Sequence, residues 1–64
     1  MKFRDLDCVI PLVSKGLIPK GSLCTVVMVF DTPREAYEVE YADEKGRTVG
    51  LEVFLPEELR LCTE

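Results

Sequence analysis

The chain has 64 residues, 47% of them hydrophobic, with eight Lys and Arg against twelve Asp and Glu, for a net charge of −4. That length holds a single domain, residues 1–64, and a chain so short buries only about 60% of the surface it exposes when unfolded. The acidic balance argues against a phosphate-binding track, which needs clustered positive charge. The hydrophobic fraction excludes a disordered chain, and no stretch reaches the length of a membrane helix.

Lys2 to Leu6 reads as a lead-in, with Phe3 and Leu6 as plugs on the core. Asp7 to Val13 is expected as the first strand. Pro11 cannot donate to a ladder, so it marks an edge position or a bulge. Ser14 to Ser22 is the longest loop, punctuated by Gly16 and Gly21, with Leu17 and Ile18 folding back onto the core. Lys20 to Phe30 organises the rest of the chain as a glycine turn running into a long strand. Val26, Val27 and Val29 are β-branched and Phe30 is aromatic, which suits a pleated surface better than a helix. Leu23, Thr25, Val27 and Val29 share one face of that strand, and Cys24, Val26, Met28 and Phe30 share the other. Both faces are mostly apolar. The strand must therefore bend to serve two packing surfaces, or leave one face to be covered by a partner molecule.

Asp31 to Glu35 is a turn whose φ Pro33 helps to fix. Ala36 to Ala42 has the cleanest alternation, with Tyr37, Val39 and Tyr41 on one face and Glu38 and Glu40 in water. Asp43 to Gly46 is a hairpin loop in which Gly46 supplies a positive φ. Arg47 to Phe54 is the next strand, its Val49, Leu51 and Val53 facing one way and Gly50, Glu52 and Phe54 the other. Val26, Val39 and Leu51 are expected to be nearly fully buried. Pro56 to Leu59 reads as one helical turn, proline first and acids behind it, and Arg60 to Cys62 adds a last short strand. Five short strands, a long first loop and one helical turn before the last strand make an all-β chain, in the pattern of a small five-stranded SH3-like barrel.

These residues also carry a resemblance. Phe3 and Leu6-Asp7, Gly16-Leu17 and Lys20-Gly21, Thr25-Val26-Val27, Tyr37-Glu38-Val39-Glu40-Tyr41 and Leu55-Pro56-Glu57-Glu58-Leu59-Arg60 together resemble a family of short prokaryotic proteins known only as a domain of unknown function. The tyrosine-flanked acidic stretch and the final Pro-Glu-Glu-Leu are the more specific parts. The resemblance covers nearly the whole chain and implies a single SH3-like barrel. One departure is Cys24, where the family pattern usually has glycine before Thr-Val-Val. The glycine-to-strand feature is also similar to KOW-type barrels, which bind nucleic acid or protein; that likeness is of fold and transfers no activity.

No catalytic constellation stands out. Cys8, Cys24 and Cys62 are an odd set without zinc-knuckle spacing, and the chain has no histidine. All three are expected to be reduced, buried, small apolar residues, although Cys8 and Cys62 become neighbours if the first and last strands pair. A thiolate nucleophile needs a base or a positive setting, and none is at hand. Glu38, Glu40 and Glu52 read as a solvated strand face rather than a metal or acid–base site. No cofactor and no metal are expected. The apolar central strand, with Val27, Val29, Tyr37 and Tyr41 as a contact surface, points to a non-enzymatic binding module that acts by protein–protein contact or self-association. An adaptor, an accessory subunit or one member of a toxin or immunity pair would each fit. The alternative is a KOW-like nucleic-acid-binding module, against which the net charge counts. Without a signal-peptide core or a membrane span, a reducing, cytoplasmic location is expected.

Overall fold

The structure is a computed structural model that describes residues 1–63. Five strands form one antiparallel sheet: β1 (Cys8–Pro11), β2 (Cys24–Phe30), β3 (Ala36–Ala42), β4 (Thr48–Phe54) and β5 (Leu59–Leu61). A single 3-10 turn, Pro56–Glu58, precedes β5. The order across the sheet is β4-β3-β2-β1-β5. Among the described residues β4 and β5 do not pair, so the sheet is not closed.

The strand with the cleanest alternation, Ala36 to Ala42, forms with those bounds and sits between β2 and β4. Tyr37 and Val39 are fully buried, and Tyr41 packs against the core. The core is completed by Phe3, Val9, Ile18, Cys24, Val26, Phe54 and Leu59. Two of these come from outside the sheet. Phe3 stacks edge-on against Tyr37 with ring centroids 5.1 Å apart, and Ile18 folds the long loop back onto the sheet.

Their neighbours do not follow. Leu6 is 73% exposed and Leu17 is 70% exposed, so neither plugs the core. Leu6 has a left-handed backbone, φ 70°. Its amide donates to the Val26 carbonyl, and the Val26 amide donates to the Asp7 carbonyl. Residues 6 and 7 are thus tied to β2 by main chain, with the Leu6 side chain in solvent. Leu17 lies at the tip of a tight turn closed by reciprocal Lys15 and Ile18 amide–carbonyl bonds. Gly16 opens that turn at φ 52°, and a Cβ there would meet the Glu52 carboxylate at 2.1 Å. Only glycine fits the position without displacement.

Pro11 is buried at the end of β1, paired with Leu59 of β5. Its carbonyl accepts the Gly21 amide at 2.9 Å. The β1–β2 register covers only Cys8↔Thr25 and Val9↔Cys24, so the missing N–H of Pro11 falls beyond the β2 ladder and costs no bond.

A bulge between Val26 and Met28 resolves the two apolar faces of β2. Before it, Cys24 and Val26 point inward. After it, Val29 faces Tyr37 and packs on the core. One extra residue lets the strand bury Val26 and Val29 on the same side, which strict alternation forbids.

The lead-in is anchored by polar contacts as well as by Phe3. The Phe3 amide donates to the Tyr37 hydroxyl at 3.1 Å, and that hydroxyl donates to the Glu35 carboxylate, which also accepts the Lys2 amide. Burial, with the bond to Glu35 behind it, pushes the Tyr37 phenol above its ordinary pKa. Tyr37→Phe removes the acceptor of a buried amide, and calorimetry should show a loss of about 1–3 kcal/mol. A melting curve unchanged by that substitution would mean that the Phe3 amide does not depend on Tyr37.

Candidate contact surface

Of the four residues that the sequence offers as a surface, Val29 and Tyr37 meet across the β2–β3 ladder, but on the core side of the sheet. Tyr37 is fully buried, while Val29 and Tyr41 are half-buried and packed against the core. Val27 sits half-buried at the bulge. Exposed apolar side chains lie in the lead-in and between β1 and β2, among them Leu6, Leu17 and Leu23, and on the outward face of the sheet, where β2 gives Met28 and β4 gives Val49, Leu51 and Val53.

Register places them. Thr25, Glu40 and Leu51 form one row across the three strands, and Met28, Glu38 and Val53 form the next. Met28 and Leu51 are each 50% exposed and Val53 is 43% exposed, with Val49 alongside at 38%. Leu51, expected in the core, is therefore on the outside. Val49, Leu51 and Val53 face solvent, and Gly50, Glu52 and Phe54 take the inner side. The reason lies in what covers β4 from within. Ile18 and Leu17 pass so close to Gly50 that a Cβ there would lie 3.3 Å from each. The inner face must be small at that point, and the branched residues are left for the outer one. β4 is also an edge strand. Its Val53 carbonyl accepts the Lys15 ammonium at 3.0 Å.

Glu38 and Glu40 stand in the middle of this face, each half-buried, Glu38 between Met28 and Val53 and Glu40 between Thr25 and Leu51. The Thr48 hydroxyl donates to the Glu40 carboxylate. Among the described residues neither acid has an ion-pair partner. Two cations of the chain pair with other acids. Lys15 pairs with Glu58 at 2.7 Å and Arg47 with Asp43 at 2.9 Å.

The ends of the sheet are held by local polar chemistry. Asp43 closes the β3–β4 hairpin by accepting the Lys45 and Arg47 amides, each at 2.9 Å. Those bonds, the Arg47 amide first, hold its carboxyl below the usual carboxylate range. Glu58 accepts the Leu55 amide at 2.8 Å and pairs with Lys15, and these contacts lower its pKa in the same order. A depressed folded pKa gives stability that is complete above the ordinary glutamate value and is lost as pH falls through the folded one. Thermal melts should therefore fall on acidification below the ordinary glutamate range, and Glu58→Gln should flatten part of that fall. An acid limb of the same steepness in the variant would remove Glu58 from the account.

The cysteines correct the expectation of three reduced thiols. Cys8 and Cys62 form a disulfide across 54 residues, with Cα atoms 5.6 Å apart. β1 pairs with β5, and the Cys62 amide donates to the Cys8 carbonyl, so the two side chains meet beside the ladder. Cys8 is exposed, not buried. Only Cys24 is a buried free thiol. Burial raises its pKa, and a contact with the Ser22 hydroxyl at 3.4 Å acts against that rise.

Two surface depressions, of about 400 and 420 Å³, flank the sheet. The first lies over the Asp43–Arg47 hairpin, whose polar groups already bond one another. The second lies beside the disulfide, near Lys2 and Arg4. Neither gathers a nucleophile with a base.

A small all-β domain, one antiparallel sheet over a core capped by its own lead-in and loop, is the class that this geometry defines. Residues 8–61 match the family described as Domain of unknown function (DUF4926), and the chain belongs to that family. No curated protein and no solved structure matches the chain.

Proposed function

We propose that the protein is a non-enzymatic binding module, an SH3-like barrel in architecture, that works by contact with another protein through the outward face of β2, β3 and β4. The observation that carries this reading is the exposed aliphatic strip of Val49, Leu51 and Val53 along β4, with exposed Met28 on β2 across Glu38 from Val53. Small soluble domains rarely leave a contiguous apolar face bare unless something docks there. The non-enzymatic part rests on the side chains present. The chain contains no histidine, two cysteines are tied in a bridge, and the third is a buried thiol with a raised pKa. A KOW-like role is less well supported, because the carboxylates of Glu38 and Glu40 on this face, together with a net charge of −4, repel a phosphate backbone. The Cys8–Cys62 bridge suits an oxidising compartment better than a reducing cytoplasm.

The test is site-specific photo-crosslinking in cells, with the photoreactive residue at position 51 or, as a control, at exposed position 57 beyond the sheet. A discrete protein adduct from position 51 and none from position 57 is the expected result. No adduct from either position, or the same adducts from both, would count against the reading.

A further inference from the structure

We propose that the outward face receives a cationic, apolar segment of a partner protein, one in which arginine or lysine recurs at alternate positions among aliphatic or aromatic residues. This rests on the contact reading above and adds the chemistry of the partner. Glu38 and Glu40 lie two residues apart on one face of β3, a spacing of roughly 7 Å along a strand. An extended segment repeats its side chains at the same interval, so cations at alternate positions meet both carboxylates in register.

The flanks suit arginine in particular. Glu38 lies between Met28 and Val53, and Glu40 between Thr25 and Leu51. A guanidinium that reaches either carboxylate lays its methylene stem over Val53 and Met28 or over Leu51. Its planar fork can grip the carboxylate with two hydrogen bonds. The two acids have no ion-pair partner among the described residues, so no internal cation need be displaced.

Charge also decides between occupants. A second copy docking by the same face would bring Glu38 and Glu40 against their own counterparts, with two net-negative chains approaching each other. Like charges placed opposite one another at an interface are costly. A nucleic acid meets the same repulsion. A cationic protein segment is the occupant whose charge complements the face and whose apolar part covers the rest.

The experiment pans a library of random linear peptides against three immobilised forms: the oxidised wild-type protein, Glu38→Lys/Glu40→Lys and Leu51→Asp. All three should melt alike, because every substituted side chain lies on the outward face. Peptides enriched on the wild type should carry alternating Arg or Lys with apolar neighbours. The charge-reversed form should exchange that preference for Asp and Glu, and Leu51→Asp should enrich nothing. A synthetic peptide taken from the wild-type pool should bind the charge-reversed form roughly tenfold or more weakly. Enrichment of apolar peptides with no basic preference, or of the same peptides on the charge-reversed form, overturns the cationic partner and leaves protein contact standing. Enrichment on none of the three overturns both. A concentration-dependent dimer by light scattering, abolished by Leu51→Asp, would assign the face to a second copy instead.

Discussion

Reduction of the Cys8–Cys62 bridge should lower the melting temperature by about 15–30 °C. The bridge spans 54 residues of a 64-residue chain, so it closes almost the longest loop available. Closing a loop of that length removes unfolded-state entropy worth about 4 kcal/mol. A domain of this size has a total stability of roughly 3–10 kcal/mol, and each kcal/mol moves the midpoint of so small a domain by about 4–8 °C. The bridge thus contributes on the scale of the whole net stability. It also fixes the shortest strand. Leu59, fully buried, belongs to a β5 of three residues whose ladder runs only to β1, and the covalent link holds that strand in register. Intact-mass measurement should find the untreated protein lighter than the reduced one by two hydrogens. The Cys8→Ser/Cys62→Ser variant should melt with the reduced protein. Coincident melting curves for oxidised and reduced protein would contradict this.

Phe54→Ala should cost about 3–5 kcal/mol, a large part of the roughly 3–10 kcal/mol that holds a domain of this size. Phe54 is fully buried and faces Tyr37 across the β3–β4 ladder, and the Lys15 ammonium lies 4.9 Å from its ring centroid. Truncation leaves a cavity between β4, the loop and β3 that a sheet edge cannot collapse to fill. Leu51→Ala, three residues earlier on the same strand, should change stability by no more than about 0.5 kcal/mol, as for a surface position. Chemical denaturation of the two variants checks the contrast. Equal losses would mean that β4 is registered the other way up.

That contrast marks where the sequence was legible. The period-two pattern of residues 36–42 has turn signals at both ends and one acidic face, so bounds and orientation both followed. Strand β4 carries the same period with aliphatic residues on one side and glycine, glutamate and phenylalanine on the other. Hydrophobicity alone turns Val49, Leu51 and Val53 inward. The deciding fact is the passage of Leu17 and Ile18 over Gly50, a contact between segments more than thirty residues apart that no local pattern encodes. The β2 bulge is similar. Residues 23–30 show two apolar faces but not the extra residue that puts Val26 and Val29 on one side. The long loop is legible in its two glycines and proline, yet which of Leu17 and Ile18 turns inward depends on the tight turn at Gly16. For the cysteines, an odd count hides a pair, and the bridge becomes visible only once β1 and β5 are known to be neighbours. The proposed contact surface differs from the residues that the sequence offers for the same reasons. Glu38 and Glu40 read as outward and lie outward, whereas Leu51 beside Glu40 reads as core and is exposed, and Tyr37 reads as surface and is buried.

The most direct test of the account is Leu51→Asp, measured for both folding and contact. A buried leucine replaced by aspartate would unfold a domain this small, whereas an exposed contact residue would lose only its partner. The account predicts a melting temperature within a few degrees of the wild type, together with loss of the protein adduct formed by a photoreactive residue at neighbouring Val53. An unfolded variant would show that this face of β4 is interior. A folded variant that still forms the adduct would show that the aliphatic strip is not where the protein makes contact.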